Sequence, residues 1–254
     1  MKKLKGFSVI GIIIAVAVAA AIGIGAYFVI DGNNNATDFS KYDFNSIIAP
    51  DKHNGNIGDH VKGDPNAPVL IFEYADYQCP GCASINPRVN KTLDQLDGKL
   101  AIVYRSFLLA YHQNGTAAAS AAEAAGLQGY WKEYADKLFA TQLEWEEASG
   151  SERKELFNKY FEEVTDGKGD IEKFNKDIAS DEVSKKISFD MGIGKRVDIG
   201  GTPAFYIDGQ LITWNKEGSV EVNGKTISWD SARSGDDFTK LIKEIVEAKL
   251  GEQE

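Results

Sequence analysis

The chain contains only two cysteines, Cys79 and Cys82, and they stand three apart in Cys79-Pro80-Gly81-Cys82. A fold stapled by a disulfide framework needs several such pairs, so this chain must be held together by an apolar core. Its 254 residues suffice for one or two domains. Hydrophobic residues make up 43% and charged residues 26%, the balance of a globular protein. The net charge of −10 argues against a nucleic-acid partner, because phosphate affinity comes from clustered lysine and arginine.

Residues 7–30 (FSVIGIIIAVAVAAAIGIGAYFVI) carry no charge. As a helix rising about 1.5 Å per residue they would reach across a hydrocarbon core of about 30 Å with some tilt. Lys2, Lys3 and Lys5 precede the run and Asp31 follows it. The positive-inside rule then leaves residues 1–6 in the cytoplasm and puts everything after residue 30 outside, on a single-pass membrane anchor. A cleaved signal peptide is the competing reading. Such peptides have a shorter apolar core and a small-residue cleavage site. This run is longer and ends in Tyr27, Phe28, Val29 and Ile30, so a retained anchor is expected. Residues 31–56 are polar, with an asparagine run at 33–35, and read as a linker. A loop packed on the domain is the alternative. Residues 57–254 then form the folded domain.

Within that domain, residues 69–74 (VLIFEY) are continuously apolar up to Glu73 and suit a strand buried on both faces. A helix from Pro80 to about Leu96 follows, its first turn accommodating a proline that has no N–H to lose. Pro87 is expected to kink it. Residues 100–107 (LAIVYRSF) read as a second strand, completing a parallel β-α-β unit with a right-handed crossover. Residues from about 114 to 191 are helical in character, punctuated by Gly126, Gly150, Gly167 and Gly169, and three to five helices are expected. Trp131, Tyr134, Leu138 and Phe139 recur at helical spacing and read as core. After Pro203, two hairpins are expected, turning at Asp208-Gly209 and Asn223-Gly224, with Trp214 and Trp229 as packing residues. An amphipathic helix over 236–250 closes the chain. The whole is an α/β fold around a mixed sheet, with a helical insertion and one preceding transmembrane helix.

The chemistry concentrates at the helix start. Cys79 sits where unpaired N–H groups and the positive end of the helix dipole favour thiolate over thiol. The thiolate is the nucleophile of disulfide exchange. Cys82, one turn inward, is placed to resolve the mixed disulfide. Pro80 removes one amide from the sulfur's reach and leaves those of Gly81 and Cys82. A half zinc site is the competing reading of the pair, but His53, His60 and His112 do not follow finger-like spacing. An inert disulfide is a third reading, although so small a loop stabilises little. Pro203, opening a strand in Gly201-Thr202-Pro203-Ala204-Phe205, needs a reason to be there. A cis Thr202–Pro203 bond beside the cysteines would present the Thr202 backbone to an extended peptide, and an ordinary trans strand start is the alternative.

Residues 73–82 (EYADYQCPGC) together with GTPAF at 201–205 resemble the DsbA-like branch of the thioredoxin superfamily. The resemblance spans roughly residues 58–250, insertion included. It implies a thioredoxin-like fold, with Cys79 as the attacking thiol, Cys82 as the resolving one and Pro203 as the family's cis-proline after Thr202. It also implies that Glu73, six residues before the first cysteine, is a buried acid that moves a proton to or from Cys82. Pro87 resembles the kink proline of thioredoxins. The Pro-Gly dipeptide departs from the Gly-Pro of thioredoxin and the Pro-His of the best-known oxidases, so the preferred redox direction stays open.

The expected function is thiol–disulfide exchange with extracytoplasmic proteins, with Thr202, Pro80 and Gly81 bordering the bound peptide. No cofactor or metal is expected, because the cysteine pair carries the electrons. The expected partners are substrate proteins with thiols or disulfides and a redox partner, for which a membrane protein is one candidate. A reductase of the same fold and a non-catalytic binding module are the alternatives. Asn90 and Asn114 begin glycosylation sequons but are expected to be unmodified. His112 reads as a surface or capping residue, with a place near the active site as the alternative.

Overall fold

A computed structural model describes residues 37–212, 217–229 and 235–251. The chain enters through one 3-10 turn, Phe39–Lys41, and then the strand β1 (His60–Gly63). β2 (Val69–Ala75), α1 (Pro80–Gln95) and β3 (Leu100–Ser106) form the β-α-β unit. Six helices follow: α2 (Gly115–Gly126), α3 (Trp131–Ala140), α4 (Gln142–Trp145), α5 (Gly150–Val164), α6 (Ile171–Asp177) and α7 (Asp181–Arg196). Then come β4 (Ala204–Ile207), β5 (Gln210–Ile212), β6 (Gly218–Val222), β7 (Lys225–Trp229) and α8 (Gly235–Leu250).

The main sheet is mixed, in the order β1-β3-β2-β4-β5, with β2 and β3 parallel and the other pairs antiparallel. β6 and β7 form a separate hairpin. Both two-residue turns take the backbone that the sequence demands. Asp208 and Gly209 have φ of 48° and 76°, and Asn223 and Gly224 have 49° and 77°. A φ above zero at both central residues matches the twist of the flanking strands, and glycine adopts it without a Cβ penalty.

Side chains alternate across the sheet. Val69, Ile71, Leu100, Ile102, Phe205 and Ile207 pack with Ile85 and Val89 of α1 and with Leu241, Ile242 and Ile245 of α8. Further along the same face, Ala75 and Tyr104 meet the alanine-rich α2 and Trp131, Tyr134 and Leu138 of α3. The opposite face buries Phe72, Tyr74, Val103 and Tyr206 against Phe189 and Ile193 of α7. As expected, Trp131, Tyr134, Leu138 and Phe139 are all core residues.

Several expectations change. The stretch read as a linker to residue 56 is, from residue 37, the packed loop that was its alternative. Phe39, Tyr42, Phe44 and Ile47 pack against the Phe72–Phe189 cluster, and Phe39 stacks on Phe189 at 5.2 Å. β1 was not expected. Its four residues carry no alternation of their own and become a strand by pairing with β3. The helices between the two halves of the sheet number six, not three to five, and reach Arg196. α4 and α6 have four and seven residues, too few to show a helical period. Helix α1 is one element with Pro87 inside it, since a helix can continue through a proline. Among the described residues no helix is long and apolar enough to cross a membrane. The proposed anchor at 7–30 and Trp214 lie outside the described residues.

Candidate active site

The site is built at the C-terminal end of β2, where the chain turns into α1. Seven contacts, some local and some from distant segments, shape the turn. The Cys79 N–H donates to the Asp76 carbonyl at 3.0 Å. The Asp76 carboxylate accepts from the N–H groups of Gln78 and Leu109, each at 2.9 Å, and lies 2.8 Å from His112 Nδ1. The Gln78 side chain bridges to the Asn114 N–H at 2.6 Å and the Glu146 carbonyl at 2.8 Å. Gln142 donates to the Tyr77 carbonyl at 2.7 Å. The helical insertion thus grips the segment that delivers the first cysteine.

Cys79 is the N-cap of α1, with extended backbone (φ −75°, ψ 119°), and Pro80 opens the helix. Both cysteines are in the dithiol form, Cys79 7% exposed and Cys82 fully buried. The Cys79 thiol is lowered to about 5. The largest cause is a hydrogen bond from the Cys82 thiol; the Thr202 hydroxyl and the N–H groups of Cys82 and Gly81 add to it against the cost of burial. Cys82 is driven the other way, well above the ordinary thiol range, first by burial and then by its hydrogen bond to Cys79. One sulfur is thereby poised as a nucleophile and its neighbour held as the proton donor. Environments that push a pair apart in this way assign the pair's two roles.

The strand after α7 closes the site. The Thr202–Pro203 peptide is cis, and the Cys79 Sγ lies 3.2 Å from the Thr202 carbonyl oxygen. That contact is a hydrogen bond only while Cys79 is a thiol. On ionisation the sulfur becomes an acceptor, and the Thr202 hydroxyl, buried with no other partner, is the group that can donate to it. Gly81 faces the same loop. A Cβ on it would sit 3.1 Å from Pro203 Cδ, tighter than ordinary contact, which suits glycine at that position.

Glu73 lies fully buried on β2. Burial raises its carboxyl to about 7; nearby Lys62 pulls it down and Asp136 pushes it up. Its Oε1 has no hydrogen-bond partner. Lys62, itself buried, donates to Asp136 at 2.6 Å and to Asn86 at 2.7 Å. An acid of this kind can accept or supply a proton near neutral pH.

Cys79, Cys82, Pro80, Gly81, Thr202 and Pro203 are therefore gathered at one end of the sheet, with Glu73 in the core behind Cys82. Sequence reasoning missed Asp76, Lys62 and Asp136. The Asp-x-Gln spacing ahead of Cys79 was a local signal for the Asp76 turn; Lys62 and Asp136 had none. His60 and His112 each face a carboxylate, Glu123 and Asp76, and no group of three or more metal ligands occurs among the described residues. Asn114 is buried and its amide donates to the carbonyls of Trp145, Glu146 and Ala148, so it is committed to the fold.

A low-pKa thiol at a helix start, a protonated partner one turn on and a proline-opened strand beside them, all on a mixed sheet of this order, define a dithiol protein of thioredoxin-like fold. The chain belongs to the Thioredoxin_4 (thioredoxin) family, which matches residues 55–244. It is 32% identical over 157 residues to the Na(+)/H(+) antiporter NhaA 1 of Mycobacterium sp. (strain KMS), covering 60% of this chain but 24% of that protein. The chain thus spans about a quarter of the length of that relative. It is 25% identical over 217 residues to a probable disulfide bond formation protein D of Bacillus anthracis, covering 83% of this chain and 92% of the relative. The crystal structure of α-DsbA1 from Wolbachia pipientis shares the fold with a TM-score of 0.56 at 22% identity, over 77% of this chain and 94% of the other.

Proposed function

We propose that the chain is a thiol–disulfide oxidoreductase that exchanges disulfides with proteins outside the cytoplasm, tethered by residues 7–30. The observation that carries this reading is Cys79 at the N-cap of α1, with Cys82 one turn on and the cis Thr202–Pro203 bond beside it; that setting lowers Cys79 and raises Cys82. Cys79 attacks, or is attacked within, a mixed disulfide; Cys82 resolves it. Thr202 and Pro203 border the sulfur, so an extended peptide pairs there with the Thr202 backbone, and Pro80 and Gly81 form the opposite wall. Glu73 moves the proton of Cys82. The DsbA-like fold and the relative described as a disulfide bond formation protein support the same chemistry. The lysines ahead of the uncharged run and the absence of further cysteines support the location.

Replacing Cys82 by serine removes the resolving thiol. Cys82→Ser is expected to accumulate mixed disulfides with other proteins, visible as reducible adducts on gels. No adducts, with wild-type exchange no faster than a free thiol, would leave only a binding module on this scaffold. The reduction potential of the pair sets the direction, near about −120 mV for an oxidase and about −270 mV for a reductase.

A further inference from the structure

Three polar atoms on the face of the sheet covered by α2 and α3 are buried without a hydrogen-bond partner: Glu73 Oε1, the Tyr77 hydroxyl and Trp131 Nε1. Buried polar atoms are ordinarily satisfied by protein or by internal water, so three together need an explanation. Glu73 stands on one row of the sheet, and Tyr77 and Trp131 pack with Tyr104 of that row in the same core cluster. The strand registers set Glu73 beside Tyr104 and Tyr104 beside His60, across β2, β3 and β1. Residues in register point to the same face. The row therefore starts at the acid behind Cys82 and ends on the edge strand.

Neighbours along the row stack on one another or feel one another's charge, and the Tyr104 hydroxyl donates to the Ala75 carbonyl at 3.4 Å. Tyr104 feels the charges of both Cys82 and Glu73. Tyr77 stacks on Tyr104 at 5.4 Å, and its hydroxyl faces Tyr104, Trp131 and the charge of Glu123. The Trp131 ring lies flat on the His60 imidazole at 4.4 Å. His60 Nε2 meets Glu123 Oε2 at 2.7 Å, and the His60 side chain keeps 14% exposure where Glu123 keeps 1%. From α7, Lys186 and Asp190 also face Glu123.

We propose that the His60–Glu123 pair is the outlet through which the proton of Cys82 exchanges with solvent, relayed by Glu73, Tyr104 and Tyr77. This rests on the dithiol reading above. When the reduced protein acts, the Cys82 thiol gives its proton to the relay, and its sulfur attacks Cys79 in the mixed disulfide. The Cys79–Cys82 bond forms, the bond from Cys79 to the substrate breaks, and the substrate leaves as a thiolate carrying the electron pair. The proton leaves at His60. In the reverse direction, Cys82 departs from the disulfide as a thiolate and takes a proton from the same route. His60 and Glu123 touch no reacting atom; they position and pass a proton.

The test uses the reduced full chain with excess aromatic disulfide whose released thiolate is coloured. Attack by Cys79 releases one equivalent at a rate set by the reagent; attack by Cys82 releases a second at a rate independent of it. His60→Gln and Glu123→Gln are expected to keep the first phase, to slow the second on the order of tenfold, and to change its pH profile. Tyr77→Phe removes one hydroxyl from the row and should slow the second phase likewise. If the charge-changing variants lose both phases together, their fold is damaged and Tyr77→Phe decides by the same criterion. Second phases with unchanged rate and pH profile overturn the proposal. So does slowing by Asp136→Asn alone, which would send the proton out beside Lys62. A wild-type protein without a second phase overturns the dithiol reading itself.

Discussion

Cys79 and Cys82 differ by one helical turn and by the direction in which the fold moves their protons. Cys79 accepts from a thiol, a hydroxyl and helix-start amides, while Cys82 is enclosed by apolar groups and Glu73. The difference has a measurable consequence for stability. The folded pKa of Cys79, about 5, lies below the free-thiol value of about 8.5. Its contribution to the reduced protein is therefore complete above about pH 8.5 and is lost as pH falls through 5. Cys82, raised, contributes below the free-thiol range and loses that contribution as pH rises through its own folded value. The oxidised form carries neither thiol, so other groups largely cancel in the comparison. The melting temperature of the reduced protein minus that of the oxidised protein is expected to climb from pH 5 to pH 8. A flat difference would mean that Cys79 is not depressed. Ultraviolet thiolate absorbance gives the midpoint directly.

Helix α2 shows how one element serves both core and site. Ala118, Ala119, Ala121, Ala122, Ala124 and Ala125 are all fully buried, so neighbouring helices approach its backbone closely. Small residues on every side permit this; larger ones do not. Ala121→Leu is expected to cost about 1–3 kcal/mol through overpacking, read as a lower urea midpoint with unchanged slope. No change would show space that the packing denies. The helix was legible from its alanines, but its burial on every side except the stripe at Thr116 and Ser120 was not, because alanine is compatible with both surface and core. The hairpin turns were legible because Asp-Gly and Asn-Gly determine backbone angles within two residues. β1 was not, because its strand character comes from β3. The packed segment after residue 37 was not, because its aromatic residues find their partner in α7, about 150 positions away.

Across the whole domain, the parts are locked by a buried charge network. Arg105 on β3 pairs with Asp59 at 2.7 Å and donates to the carbonyls of Phe44 and Ser46. Lys186 on α7 reaches Asp59 at 3.4 Å and Asp190 at 2.7 Å, and Asp190 accepts from the Ser106 N–H. The entering segment, the sheet and the insertion are thereby joined in one cluster. Lys186→Ala leaves the buried Asp190 carboxylate without its cation, while Asp59 keeps Arg105, and is expected to cost about 3–5 kcal/mol. Lys168→Ala, on an exposed pair, should change stability by less than about 1 kcal/mol. Equal effects in denaturant titrations would refute a structural role for the network. The dithiol at a strand-to-helix junction, the two tight turns, the parallel β-α-β unit and the closing helix follow from the residues alone. Each depends on backbone rules that act over a few residues or on one element's hydrophobic period. Folding is what sets Thr202 against Cys79, Lys62 near Glu73 and His60 against Glu123. Thr202 and Cys79, and His60 and Glu123, stand far apart along the chain, while Lys62 and Glu73 are close in sequence but lie on strands that β3 separates in the sheet; nothing but the packing of the finished sheet and helices brings each pair within reach.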